Sequence, residues 1–222
     1  MELYNLINNL CLEHADSARA SGMKAYMKNQ FEFFGIPSSQ RKLLVKDLKQ
    51  QVMTLSDDRL WELVGVLWSN PHREMQYIAL DIIRPMSKGM NCTHLPVLEK
   101  MIMTKSWWDT VDSIVPNIVG DIFRSDTNCR DQYVYKWMDS PNIWLKRASI
   151  IFQLRYQKET DWNLLCEAIL RNDTSKEFFV RKGQGWALRQ YSKYNPLAVR
   201  QFVEANPQLS GLTKMEALRK IL

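Results

Sequence analysis

The sequence predicts an all-α fold built as a stack of helical hairpins. Apolar residues recur three and four apart along almost every long segment, instead of alternating. Only 8 Gly and 8 Pro interrupt the 222 residues. From residue 56 onward the helices come in pairs, each pair spanning roughly 30–40 residues, the period of stacked helical repeats.

The spacing places helices near 2–15, 17–29, 38–52, 57–69, 71–87, 94–104, 106–124, 127–138, 141–156, 160–171, 175–194, 196–205 and 213–221. Their starts carry capping chemistry. Ser38-Ser39 precedes Gln-Arg-Lys-Leu-Leu and Ser56 precedes Asp-Asp-Arg-Leu-Trp, while Asn70-Pro71, Ser140-Pro141 and Asn195-Pro196 each set a capping side chain before a proline. The second helices of successive pairs open alike, as SNPHREMQYIAL, TKSWWDTVDSIV, DSPNIWLKRASI and DTSKEFFVRKGQGWAL. Such repetition points to an α-solenoid of the HEAT or armadillo kind, with an irregular helical bundle as the alternative. No segment is long or polar enough to act as a linker, so residues 1–222 read as one domain.

Composition narrows the class. Hydrophobic residues make up 45% and charged residues 24% of the chain, which excludes a disordered chain and a disulfide-dense mini-protein. No apolar run reaches the roughly 18 residues of a membrane span, and the N-terminus lacks the basic segment of a signal peptide. Cys11, Cys92, Cys129 and Cys166 are scattered, with no Cys-x-x-Cys pair and no histidine at metal spacing. They read as reduced cytoplasmic thiols, with no metal and no cofactor expected. Residues 1–111 hold 13 basic against 12 acidic side chains, and residues 112–222 hold 17 against 12. The basic excess is regional and favours a polyanionic partner for the C-terminal half.

Four residues fit poorly into an ordinary core. In helix 106–124, Trp107, Val111, Ile114, Val115, Ile118, Val119 and Ile122 define the buried face. Trp108 and Asp112, four apart, lie one above the other at its edge, either as a rim aromatic and a solvated acid or cap, or as functional groups; Asp109 is the competing carboxylate. In helix 141–156, Arg147 falls inside the apolar stripe of Ile143, Trp144, Ala148, Ile151 and Leu154. A guanidinium there must be paired, reach solvent or meet an anion. Asp112 lies 35 residues earlier, about one repeat, so an Asp112–Arg147 contact is a geometric expectation, structural or functional. In helix 175–194, Lys182, Trp186, Arg189 and Lys193 form one stripe, flanked by Lys176 and Arg181. A basic stripe is commonly a solvated face, but cations interleaved with an aromatic suit a phosphate backbone and a sugar or base. Gly183 and Gly185 weaken this helix by roughly 1 kcal/mol each, which calls for the close approach of another group.

These segments resemble the AlkD-type DNA alkylation-repair glycosylases, a HEAT-like repeat family. The resemblance rests on Thr104-Lys-Ser-Trp-Trp-Asp-Thr-Val-Asp112-Ser-Ile-Val-Pro116 with Gly120-Asp-Ile-Phe123, on Asn142-Ile-Trp-Leu-Lys-Arg147-Ala148 and Phe152-Gln-Leu, and on Ser175-Lys-Glu-Phe-Phe179 with Gly185-Trp186-Ala-Leu-Arg189. Tyr26-Met-Lys-Asn29 and Phe34-Gly-Ile36 extend it to nearly the whole chain. It implies hydrolysis of the N-glycosidic bond of N3- or N7-alkylated purines in duplex DNA, leaving an abasic site. By matched position Asp112 is the family's aspartate, Trp108 and Trp186 its active-site tryptophans, and Arg147 its arginine. Tyr26 matches an aromatic near the lesion, and Arg189 with its neighbouring cations Lys182 and Lys193 matches DNA-contacting positions. No position departs from the pattern. The resemblance implies a monomer with no obligatory protein partner and no membrane, cytoplasmic and associated with the nucleoid when on DNA, its basic surface on the concave face of the solenoid.

The chemistry agrees with the residues. An alkylated purine already carries positive charge and leaves without a general acid, which suits one central carboxylate in place of an acid/base pair. Asp112 would stabilise the developing sugar cation and orient or deprotonate water. The tryptophans would offer π-faces to cations, and Arg147 would fix Asp112 or hold a phosphate. The absence of a lysine in a nucleophile's place implies a monofunctional enzyme. The rival readings are a non-catalytic HEAT-like module for nucleic acid or protein, with Arg147–Asp112 a structural pair, and a scaffold for acidic peptides, which leaves the Trp/Asp/Arg/Trp set unused.

Overall fold

A computed structural model describes residues 2–221 of the chain. Among them α-helices dominate and no strand forms; a single isolated bridge joins Glu32 and His72. The helices gather into two compact units, meeting in sequence at Met86 and Ser87.

The first unit contains α1 (Glu2–Glu13), α2 (Ser17–Tyr26), α3 (Ser38–Met53), α4 (Asp57–Ser69) and α5 (Arg73–Ile83). Helix α5 packs on α3 and α4, and its Met75, Ile78 and Ile82 are buried. Its Glu74 is fully buried and accepts N–H bonds from Phe34, Gly35 and Ile36 at 3.1, 2.8 and 3.1 Å. Those three successive amides form a concavity that fits a carboxylate. Gly35 is required there, because at φ +90° a Cβ would fall 2.1 Å from the Asp16 carbonyl oxygen. Helix α2 ends at Tyr26, earlier than the spacing predicts, because Lys28 and Asn29 both take positive φ.

The second unit contains α6 (Leu95–Met103), α7 (Trp108–Ile114), α8 (Gly120–Ser125), α9 (Thr127–Met138), α10 (Ile143–Ile151), α11 (Trp162–Leu170), α12 (Phe178–Tyr191), α13 (Pro196–Ala205) and α14 (Gly211–Leu218). Side chains of Asp126, Asn142, Asp161, Asn195 and Ser210 cap α9, α10, α11, α13 and α14. The cap of α10 is Asn142, two residues past Ser140, and α5 starts after His72, with Asn70 bonding the His72 N–H. Helix 106–124 is not continuous. Pro116 lacks the N–H that would bond the Asp112 carbonyl, and residues Val115–Val119 widen into a π-turn between α7 and α8. Helix α10 packs against α6, α7, α9 and α12, and α12 packs on α14.

The cysteines depart from the expectation of four reduced thiols. Cys92 and Cys129 are joined in a disulfide, while Cys11 and Cys166 are free. The two partners are 37 residues apart, about one repeat, so the stacking that aligns Asp112 with Arg147 also brings these sulfurs together. The Asp126 carboxylate lies within 4.8 Å of both sulfurs, and it caps α9 through the Cys129 N–H.

Candidate active site

Helix α10 places Arg147 where it can reach both α7 and α12. Its Nε and Nη2 donate to Asp112 Oδ1 and Oδ2, each at 2.8 Å, a bidentate pair with both carboxylate oxygens engaged. Its Nη1 donates to the Phe179 carbonyl in the first turn of α12 at 2.5 Å. Gly183 makes room for this, since a Cβ there would lie 3.1 Å from Nη1. The close approach expected at this glycine is therefore that of an arginine side chain. The Arg147 side chain is 5% exposed and the Asp112 side chain 18%. The aspartate is thus the more exposed partner, and its carboxylate has lone pairs beyond those that Arg147 uses.

Trp186 stands one turn past Gly183, with its ring 5.8 Å from the Arg147 guanidinium, at the outer range of a cation–π contact. Trp108 opens α7 one turn before Asp112, and both tryptophans are half-buried. Trp107, Trp144 and Phe179 pack together behind them, with ring centroids 5.0–5.9 Å apart. Burial pushes the Asp112 carboxyl above its ordinary value, outweighing the Arg147 hydrogen bond and charge that pull it down; Asp109 adds to the rise.

The stripe on α12 is not a row of solvated cations. Lys182 donates to Glu216 of α14 at 2.5 Å, and Arg189 donates to the other oxygen of the same carboxylate. Lys193 lies two residues beyond the end of α12, exposed, with its ammonium on Gln190. The structure thus brings Asp112, Arg147 and Trp186 together, sets Trp108 on the turn before Asp112, and ties Lys182 and Arg189 to a carboxylate. Tyr26 is exposed at the last turn of α2 in the first unit. Sequence reasoning missed two participants. Phe179 acts through its backbone oxygen, which no side-chain pattern reveals. Glu216, an acid in the apolar run Met215-Glu-Ala-Leu218, carries the signal of a charge inside a buried face.

A family model described as DNA alkylation repair enzyme matches residues 8–221. Among solved structures, a predicted DNA alkylation repair enzyme from Enterococcus faecalis superposes with a TM-score of 0.87 at 29% identity, covering 93% of this chain and 96% of that one. The smu.31 protein of Streptococcus mutans UA159 superposes with a TM-score of 0.61 at 15% identity, covering 81% and 98%, a likeness of fold. No curated protein matches the sequence. The all-α fold is that of a HEAT-like solenoid.

Proposed function

We propose that this chain, which belongs to the DNA alkylation repair enzyme family, hydrolyses the N-glycosidic bond of N3- and N7-alkylated purines in duplex DNA. Membership gives it a role in DNA alkylation repair with DNA as partner. The finer reading rests on one observation: a carboxylate held by two arginine bonds at 2.8 Å that keeps part of its side chain exposed, with Trp108 one turn before it on α7 and Trp186 against the same arginine.

The alkylated base leaves as a neutral purine, taking the electrons of the glycosidic bond, and positive charge passes to the deoxyribose. Asp112 faces that charge and orients or deprotonates the attacking water. Arg147 holds the carboxylate so that no reorganisation is needed as the charge develops. Trp108 and Trp186 flank the sugar and offer π-faces to the cation. No lysine of the sequence matches a nucleophile's position, so the reaction is read as monofunctional with an abasic site as product. Lys193 faces phosphate, with Lys182, Arg189 and Tyr26 as further DNA contacts, and the enzyme works as a cytoplasmic monomer without cofactor. Among the described residues no helix is long and apolar enough to cross a membrane.

Incubation with duplex DNA holding one N7-methylguanine tests the reading: free base and abasic sites should accumulate with wild type. Binding of the duplex without base release would favour a non-catalytic module.

A further inference from the structure

Glu216 is used by nothing in the proposed chemistry, yet it is buried and both its oxygens are occupied. Lys182 donates to Oε1 and Arg189 to Oε2. Those cations are seven residues apart on α12, two turns along one face at about 100° per residue. Between them, a Cβ on Gly185 would lie 2.4 Å from Glu216 Cβ and 2.9 Å from the Thr213 carbonyl oxygen. Helices α12 and α14 therefore meet here at a separation that only glycine permits. Thr213 adds a hydroxyl bond to Gln184 Oε1 at 2.9 Å. Gly183, against Arg147, points about 200° away from Gly185 around the axis. Helix α12 is thus gripped from two opposite sides, by Arg147 and by α14, and Trp186 projects between the grips.

We propose that Glu216 is a positioning residue for Trp186. By holding Lys182 and Arg189 on one carboxylate, it fixes the rotation of α12 and so the placement of the tryptophan ring beside the Arg147–Asp112 pair. The proposal rests on the glycosylase reading above. The same pairing engages both cations on a buried carboxylate, so each must loosen that bond before it contacts phosphate fully.

Glu216→Gln keeps the shape and one acceptor oxygen but removes the charge. Two measurements on the full chain test it: the single-turnover rate of N7-methylguanine release at saturating enzyme, and the affinity for undamaged duplex across a salt series. The saturating rate should fall about tenfold, since displacements near 1 Å cost up to about 10²-fold. Affinity should not fall, and its log–log salt slope should steepen by about 1–2 as Lys182 and Arg189 become free for phosphate. An unchanged saturating rate overturns the proposal, as does a parallel loss of affinity and rate, the mark of a merely structural role. Should this variant not fold, Gly185→Ala displaces α14 with every charge intact. The expected result is then the same fall in rate with an unaltered salt slope, and a wild-type rate would overturn the proposal. Wild type that releases no base overturns the glycosylase reading and this inference together. Base release by wild type, matched by Glu216→Gln, overturns the role of Glu216 alone.

Discussion

Two carboxylates in the two units show how differently a folded chain holds an acid. Glu74 is fully buried and accepts three N–H bonds from the backbone of residues 34–36. Asp112 is partly exposed and accepts two bonds from one buried side chain. Backbone amides surround Glu74 and organise a turn around it, leaving no direction from which a ligand can approach. A single guanidinium fixes the orientation of Asp112 and leaves its side chain partly exposed. The fold uses the first carboxylate as structure and presents the second for chemistry. What distinguishes them is the side from which each is held.

The sharpest way to break this comparison is the same isosteric change at both positions. Asp112→Asn should lower base release about 10²- to 10³-fold, the scale of losing one preorganised electrostatic contact to a transition state. Duplex affinity should stay similar or improve slightly, because a negative charge near phosphate is gone. Equal loss of binding and excision, measured by titration and single-turnover release, would make Asp112 structural like Glu74. The pH profile adds a second reading. Burial raises the Asp112 carboxyl above its ordinary 3.8, so excision should fall with acid at a higher pH than an exposed aspartate would give. In that same window the folded state binds the proton more strongly than the unfolded chain, so this site's contribution to stability should increase as pH falls. An acid limb at the pH of an exposed carboxyl would remove burial from the account.

The disulfide separates the units next. Cys92–Cys129 closes a loop of 37 residues that contains Trp108 and Asp112, whereas Cys11 in the first unit is a buried free thiol whose pKa burial pushes up to about 12. Chain-entropy arguments give a loop of this length about 4 kcal/mol of stabilisation. Reduction should lower the thermal midpoint on the order of 10 °C through the second unit, with amide exchange in the first unit unaltered. In a reducing cytoplasm this staple would be open. A midpoint indifferent to reductant would show that packing alone holds the repeat.

How far these features were legible in the sequence follows from what kind of group carries them. The helices were readable because their apolar spacing and capping residues are local. The Asp112–Arg147 contact was readable because a charge inside an apolar stripe needs a partner and the repeat puts one 35 residues away. The break at Pro116 was available from proline's missing N–H but was overridden by the strong apolar face on both sides of it. The cysteine pair was hidden because spacing rules address neighbours such as Cys-x-x-Cys, while here the repeat supplies the proximity. Glu74 gave no signal, since its partners are backbone amides of a turn 38–40 residues away.

Glu74→Gln sharpens the structural half of the comparison. A glutamine places an NH2 against at least one of the three amide donors, leaving a buried N–H unsatisfied. Loss of about 2–3 kcal/mol in stability is expected, read as a lower denaturation midpoint in urea. Base release per folded molecule should be unchanged. A fall in that specific rate would tie Glu74 to the chemistry and erase the contrast with Asp112.

The smallest effect concerns the cations. The sequence reading gives Lys182, Arg189 and Lys193 equal weight as one stripe on a phosphate backbone. In the structure Arg189 shares Glu216 with Lys182, and that carboxyl is held below its ordinary range by the Lys182 hydrogen bond first and by Arg189 as well. A cation so engaged must give up an internal partner before it can displace a counterion from DNA. Lys193 is exposed and bonded only to a neutral glutamine oxygen, so its ammonium can move to phosphate with little loss. Lys193→Ala should therefore flatten the slope of log affinity against log salt by about 0.9 on undamaged duplex, the value of one phosphate contact. Arg189→Ala should change that slope by clearly less, and both should weaken damaged and undamaged duplex alike, since phosphate contacts carry no sequence information. Parallel titrations of the two variants and wild type over several salt concentrations decide between them. Equal slopes for the two variants would mean that Glu216 releases its cations when DNA arrives, and the pairing on α12 would then be a resting arrangement only.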